Sequence, residues 1–373
     1  MSETNRKICF VIPSFSFGGA ERVVTVLASQ LASEGHDISV IKYFEAADEY
    51  PINENVKVFC VSRGSQALYQ EFSFAEKIRR IRNILKTIQP DYVVPFLPHV
   101  AAHTFLAGLG LRMRTVQTIR VAPNIAPASW IFRIIRDFLV AISYATFVQT
   151  ESQKTYFSGW MHRKIIVLPN PVSQSMLDVN LEQHENITRI VSMGRLTTQK
   201  NFEMLIRSVA ELNQMGYKAR LDIYGEGELE QSLQMLINSL CCQNVCCLRG
   251  RTNNVPNVLG NADLFVLASN FEGMPNALME AMAVGLPCIS TDCKTGPKEL
   301  LGTNRGILVP VNNQKAMMSA IRNVMESPRA ATDMGRRAKA YMRDQYSPVA
   351  ISNRFIHDVI LKGRDNGSCE KNI

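Results

Sequence analysis

ADLFVLASNFEGMPNALMEAMAVGLPCISTD, residues 262–292, carries a strand, a loop, a short helix and a second strand in one breath. ADLFVLAS (262–269) is rich in Leu, Val and Phe and reads as a buried strand. Pro275 suits the first turn of a helix, where a missing N–H costs nothing. Asn276 to Val284 favours helix, Gly285 is placed to cap its end, and Pro287 stops it. PCISTD (287–292) reads as the next strand, so the unit belongs to a parallel α/β sheet. Such sheets bind ligands beyond the carboxyl ends of their strands, which is where Glu272 falls. The N–H groups near Met274–Leu278 open the helix and attract an anion such as a phosphate. Glu280, about a turn inside, can accept hydrogen bonds from sugar hydroxyls. The segment suits a phosphorylated sugar held between two carboxylates; a solvated Glu272 and a helix-surface Glu280 are the plain alternative on this stretch alone.

The same grammar recurs along the chain. ICFVIPS (8–14) is a hydrophobic strand, and FGGAERVVTVLASQLASEGHDISVI (17–41) follows as a glycine loop, a helix and another strand. DYVVPFL (91–97), RTVQTIR (114–120) and YATFVQT (144–150) continue as strands. A second opening starts at ITRIVSMGRL (187–196), runs through the amphipathic NFEMLIRSVAELNQMG (201–216), and reaches ARLDIYGEG (219–227). The Pro-rich turn and polar stretch within 165–186 read as a linker. The expected organisation is therefore two α/β domains, 1–172 and 187–345, joined by 173–186. A helix over 346–363 and a disordered polar tail at 364–373 follow.

With 373 residues, 46% hydrophobic and 20% charged, the composition is that of an ordinary globular protein with room for two cores. No apolar run reaches the roughly 18 residues of a membrane span. The nearest, 128–147, is interrupted by Arg133, Arg136 and Asp137. MSETNRKICFVIPS lacks the form of a cleavable signal, its apolar run reading as a first strand, so a cytoplasmic location is expected. CCQNVCC (241–247) packs four cysteines too closely for paired zinc ligation and reads as reduced, structural thiols.

The formal charge is +8, and residues 77–164 hold thirteen Lys and Arg against three acids. KIRRIRNILK (77–86) and WIFRIIRDFL (130–139) suit an anionic membrane surface or a phosphate-bearing acceptor, with a solvated basic face as the alternative. No nucleic-acid motif accompanies the charge. Neither GGAE (18–21) nor YGEGELEQ (224–231) completes a dinucleotide fingerprint, and no phosphate-binding Gly-Lys-Ser/Thr loop is present. GRLTTQKN (194–201) is more telling: Arg195 and Lys200 flank a short loop between a strand and a helix, and both can reach one diphosphate.

FGGAE, LPNPV (168–172), GRLTTQKN, YGEGELE and FEGMPNALMEAMAVGLPCIS together resemble retaining glycosyltransferases of the GT-B fold, family 4. The last segment is also similar to bacterial enzymes that extend polyprenyl-linked oligosaccharides. The resemblance implies two Rossmann-like α/β/α domains facing across a cleft, and a nucleotide-sugar donor, UDP-linked rather than GDP-linked. It implies that Arg195 and Lys200 neutralise the donor diphosphate, Glu272 binds donor-sugar hydroxyls near the reacting carbon, and Glu280 holds the ribose. Backbone groups of Gly273, Met274, Pro275, Asn276, Ala277 and Leu278 would bind sugar and phosphate. Gly18 and Gly19 would let the first loop approach the phosphates, and Gly225 and Gly227 would line the nucleotide site. Front-face attack, with a donor phosphate oxygen taking the acceptor proton, needs neither a protein nucleophile nor a metal. The acceptor implied is a lipid-linked saccharide at the inner membrane face.

One departure stands out. Many relatives carry a His after the middle strand of the first domain, whereas QTIRVAPN (117–124) has Arg120. Arg120 is then a candidate for an acceptor phosphate, and His99 and His103 for pocket positions, a structural role being the alternative for each His. Two other readings stay open on the sequence: a sugar-nucleotide epimerase, and a non-catalytic nucleotide-sugar binding protein.

Overall fold

The computed structural model describes residues 5–16, 18–120, 123, 127, 129–181 and 186–361. The tail expected to be disordered, 364–373, lies outside the described residues. The chain divides into two units, Met1–Pro171 with Pro348–Ile373, and Val172–Ser347.

The first unit holds strands β1 (Lys7–Ile12), β2 (Asp37–Lys42), β3 (Lys57–Cys60), β4 (Tyr92–Pro95), β5 (Arg114–Ile119), β6 (Ala145–Val148) and β7 (Ile165–Val167). They form one parallel sheet in the order β3-β2-β1-β4-β5-β6-β7. The second unit holds β8 (Arg189–Met193), β9 (Arg220–Tyr224), β10 (Cys246–Leu248), β11 (Leu264–Leu267), β12 (Cys288–Thr291) and β13 (Ile307–Val309), again all parallel, in the order β10-β9-β8-β11-β12-β13. Each chain steps outward from its first strand and then returns to that strand's other side. The reversal falls between β1 and β4 in one sheet and between β8 and β11 in the other. In doubly wound sheets this is where a crevice opens at the carboxyl ends of the strands.

Both faces of each sheet are covered, which is why the strands read as continuous apolar runs. Along β11 the side chains alternate: Leu264 and Val266 join the core under the helix Phe202–Gln214, while Phe265 and Leu267 join the core under the helix Asn276–Val284. β1 does the same, with Ile8, Phe10 and Ile12 on one side and Cys9 and Val11 on the other. The helix Asn276–Val284 is buried from Leu278 to Val284, and Gly285 ends it at φ +99°. Pro275 proves to be its extended N-cap residue rather than its first helical one.

The expected linker 173–186 needs correction. Gln174–Leu177 is a helical turn whose Met176 and Leu177 are fully buried in the second unit's core. At the other end, Pro348–Arg354 is α-helical and Phe355–Leu361 widens into π-helix, both within the first unit. Phe355 lies 6.0 Å from the rings of Phe10 and of Phe147, and Tyr144 Oη donates to the Ile360 carbonyl at 2.9 Å.

The two basic segments adopt different settings. The helix Phe74–Ile88 buries Ile81 and Leu85 in the first unit's own core. Its Arg80 pairs with Glu76 at 2.8 Å, and Arg82 donates to the carbonyls of Ala107 and Leu109. The helix Trp130–Ile142 buries only Arg136, Leu139 and Val140. Among the described residues no helix is long and apolar enough to cross a membrane.

Candidate active site

The second unit's reversal point is built from two loops. One leaves β8 as Gly194–Asn201, the other leaves β11 as Ser269–Pro275. Asn270 N donates to the Gln199 carbonyl at 2.8 Å, Asn270 Nδ2 to the Thr198 carbonyl at 2.8 Å, and Gln199 Nε2 to the Phe271 carbonyl at 2.9 Å. These bonds stitch the loops into one piece, far apart in sequence though they are.

Within that piece Lys200 Nζ donates to Glu272 Oε1 at 2.6 Å, and Ser269 Oγ donates to the same oxygen at 2.7 Å. Both charged side chains are largely out of water, at 15% exposure for Lys200 and 6% for Glu272. Burying a carboxylate is tolerable only with such a partner and further hydrogen bonds. The Glu272 carbonyl is held in turn by the Thr295 hydroxyl. The loop carrying Thr295 comes so close that a Cβ on Gly296, at φ +89°, would collide with the Gly273 carbonyl.

Arg195 differs from Lys200. Its side chain is exposed and makes no hydrogen bond or ion pair among the described residues. It is a cation held near the site by the loop's backbone, through Leu196 N to the Glu226 carbonyl at 2.9 Å. Gly273, Met274, Pro275, Asn276, Ala277 and Leu278 form the turn into the buried helix. The start of an α-helix presents N–H groups outside its own hydrogen-bond ladder, the usual source of a positive pole. Glu280 follows on that helix and is buried, at 7% exposure.

Gly225 and Gly227, expected to line a nucleotide, have a packing reason of their own. A Cβ on Gly225, at φ +148°, would run into the Gly194 carbonyl, and one on Gly227 into the backbone of Leu196. They let the YGEG loop lie against the GRLTT loop, and so set the position of Arg195.

The first unit's reversal point gathers other residues named from the sequence. Gly18 is the extended N-cap of the helix Gly19–Ser33. Burial raises the Glu21 carboxyl above its usual range, against backbone hydrogen bonds and the nearby Arg120 charge. Arg120, just after β5, donates through Nη2 to Asn170 Oδ1, which also accepts from Gln149 Nε2 at 2.9 Å. Its Nε and Nη1 are sealed from solvent with no hydrogen-bond partner. Burial draws its pKa down to about 9, the Glu21 charge opposing, so it remains cationic at neutral pH. His99 and His103 lie on the helix Pro98–Gly108 after β4. His103 Nδ1 is 3.2 Å from Tyr43 Oη and its ring meets Phe74, and burial lowers its pKa.

Of CCQNVCC, Cys242 and Cys246 are buried and Cys241 is exposed; burial raises the Cys246 thiol well above its ordinary value. Among the described residues no three His, Cys, Asp or Glu side chains come together as a metal site.

Sequence reasoning missed Ser269, Asn270, Gln199 and Thr295. The available signal was a run of small polar residues at the ends of otherwise apolar strands.

Two doubly wound parallel sheets, with an acid–base pair and a loose arginine at the reversal point of the second, define a protein of the GT-B class. Residues 178–341 match the family described as Glycosyl transferases group 1, and residues 17–175 match Glycosyltransferase Family 4. The chain belongs to these glycosyltransferases. It is 29% identical over 350 residues to a Campylobacter jejuni protein, covering 91% of this chain and 94% of that one. That relative is named GalNAc-alpha-(1->4)-GalNAc-alpha-(1->3)-diNAcBac-PP-undecaprenol alpha-1,4-N-acetyl-D-galactosaminyltransferase. It is 26% identical to an uncharacterized glycosyltransferase of Haemophilus influenzae, covering 91% of this chain and 96% of the other. The fold is shared with Anabaena Alr3699/HepE, solved with UDP and glucose, at TM-score 0.77 and 17% identity over 96% of this chain and 100% of that one.

Proposed function

We propose that this chain moves a hexose or N-acetylhexosamine, with retention, from a UDP-linked donor to a polyprenyl-diphosphate-linked saccharide in bacterial surface-glycan assembly. The observation that carries the reading is the Ser269–Glu272–Lys200 cluster beside the exposed Arg195 at the second sheet's reversal point. The undecaprenol-linked acceptor of the Campylobacter jejuni relative supports the acceptor class. The UDP and glucose of the Anabaena structure support the donor.

In this reading the bond from the sugar carbon to the diphosphate breaks, and the acceptor oxygen bonds to that carbon from the same face. The acceptor's proton passes to a donor phosphate oxygen, leaving UDP and the extended saccharide. Charge gathering on the leaving group meets Arg195, the start of the helix Asn276–Val284, and the two Lys200 protons that Glu272 does not use. Glu272, fixed by Ser269 and Lys200, orients donor-sugar hydroxyls, and Glu280 holds the ribose. Within the first unit, Gly18 and Gly19 are assigned to phosphate and the Arg120 charge to an acceptor phosphate. No metal is assigned a step. The acceptor's lipid places the work at the inner face of the cell membrane, with the first unit toward it.

The test is a thermal-shift titration with UDP, GDP and their sugars, followed by transfer to a lipid-diphosphate acceptor with and without EDTA. A shift specific to UDP compounds and EDTA-resistant transfer are expected. A folded sample that responds to no nucleotide and transfers nothing would overturn the assignment.

A further inference from the structure

The helix Trp130–Ile142 buries Leu139 and Val140 beside Arg136 and turns most of its apolar residues outward. Its buried side holds Arg136, which donates to the Pro123 carbonyl at 2.6 Å and to Asp137 at 2.9 Å and lies over the rings of Tyr156 and Phe157. Its solvent side holds Trp130, Ile131, Phe132, Ile134, Phe138 and Ile142, between 46% and 69% exposed. Single exposed apolar residues are ordinary, but a contiguous run of this size marks a surface that something covers.

The apolar surface continues past the helix. The Phe138 ring stands 6.4 Å from that of Phe105, whose neighbour Leu106 is exposed. Lys164 Nζ donates to the Ala141 carbonyl at 3.1 Å and ties in the turn Gly159–Arg163, where Trp160 is 65% exposed. The chain has two tryptophans, Trp130 on the helix and Trp160 in the turn that Lys164 joins to the helix's end, and both are exposed.

The surroundings say what kind of surface it meets. Arg163 and Lys164 are exposed in the turn tied to it, and the helix's one acid, Asp137, is tied to Arg136. Tryptophan with a basic rim is the chemistry of a bilayer interface carrying anionic headgroups. Thirteen helical residues span about 20 Å, too short to cross a hydrocarbon core of about 30 Å but suited to lying flat in its boundary. The helix Phe74–Ile88, equally basic in sequence, offers no such face, because its Ile81 and Leu85 are spent on the unit's own core.

We infer that the Trp130–Ile142 helix, with Trp160 beside it, is the element that inserts into the anionic lipid surface. The inference rests on the lipid-linked acceptor proposed above and deepens it by naming the contact.

The test is flotation of the full chain with vesicles of phosphatidylcholine alone and of equal parts phosphatidylcholine and phosphatidylglycerol, read together with tryptophan emission. Binding to the mixed vesicles with a blue shift is expected. The variant Ile131→Ser/Phe132→Ser/Ile134→Ser should bind about tenfold or more weakly. Equal binding by the variant, or none by the wild type, overturns the inference. So does a wild type that ignores vesicles but self-associates through this face, becoming monomeric in the variant. UDP thermal shift on the same samples tests the transferase reading separately, since the three substituted residues lie outside the proposed donor site.

Discussion

Lys200 reaches Glu272 with both side chains out of water, while Arg195, on the same loop, stands in solvent. The two cations, read alike from the sequence, should therefore fail differently. Lys200→Ala leaves a buried carboxylate unmatched and should cost about 3–5 kcal/mol of stability along with activity, checked by denaturant melts. Arg195→Ala should change stability by less than about 0.5 kcal/mol. Its kcat should nonetheless fall about 10²–10³-fold, as for loss of one donor to a developing anion. Equal damage to melting temperature in both variants would remove the distinction. Glu21 supplies a pH test. Its folded pKa is raised, so its contribution favours the fold when protonated and is lost as pH rises through that value. Glu21→Gln should gain melting temperature relative to wild type as pH rises out of the ordinary carboxylate range, and a difference that stays constant with pH would refute it. Arg195, Lys200 and Glu272 were visible as residue types at telling spacings. The bond between Lys200 and Glu272 was not, because it joins loops 72 residues apart and nothing local to either announces it.

Strand β11 and the helix after it were legible because a buried strand, a proline, a helix-forming run and a glycine stop each leave a local mark. β3 and β13 were not read. β3 is an edge strand with Lys57 and Val58 exposed, and β13 has three residues, too few for a period to show. The two basic helices showed the opposite limit. Periodicity reveals that a helix has an apolar side but not whether its own fold covers that side. The glycine loops belong to this level as well. Gly225→Ala forces a side chain onto the Gly194 carbonyl at a backbone angle it disfavours. It should cost on the order of 2 kcal/mol and displace the loop that carries Arg195, so transfer should fall more than UDP affinity of the refolded protein. Wild-type turnover in that variant would mean that the loops have slack.

Two cores of this size, each closed around its own sheet, are expected to unfold as separate cooperative transitions. Phe355→Ala empties a site between Phe10 and Phe147 and should lower the first unit's stability by about 3–5 kcal/mol, leaving the UDP-responsive transition in place. A single transition moved by both UDP and Phe355→Ala would contradict this. The second unit closes at Ser347, whereas the first needs Pro348–Leu361 to cover Phe10, Phe147 and Tyr92. On a ribosome the last strand of the first sheet is made by Val167, yet its cover comes only after the whole second unit, roughly 10–40 s later at ordinary rates of synthesis. The half begun first is finished last, and through that interval its nascent core depends on whatever shields unfinished chains in the cell.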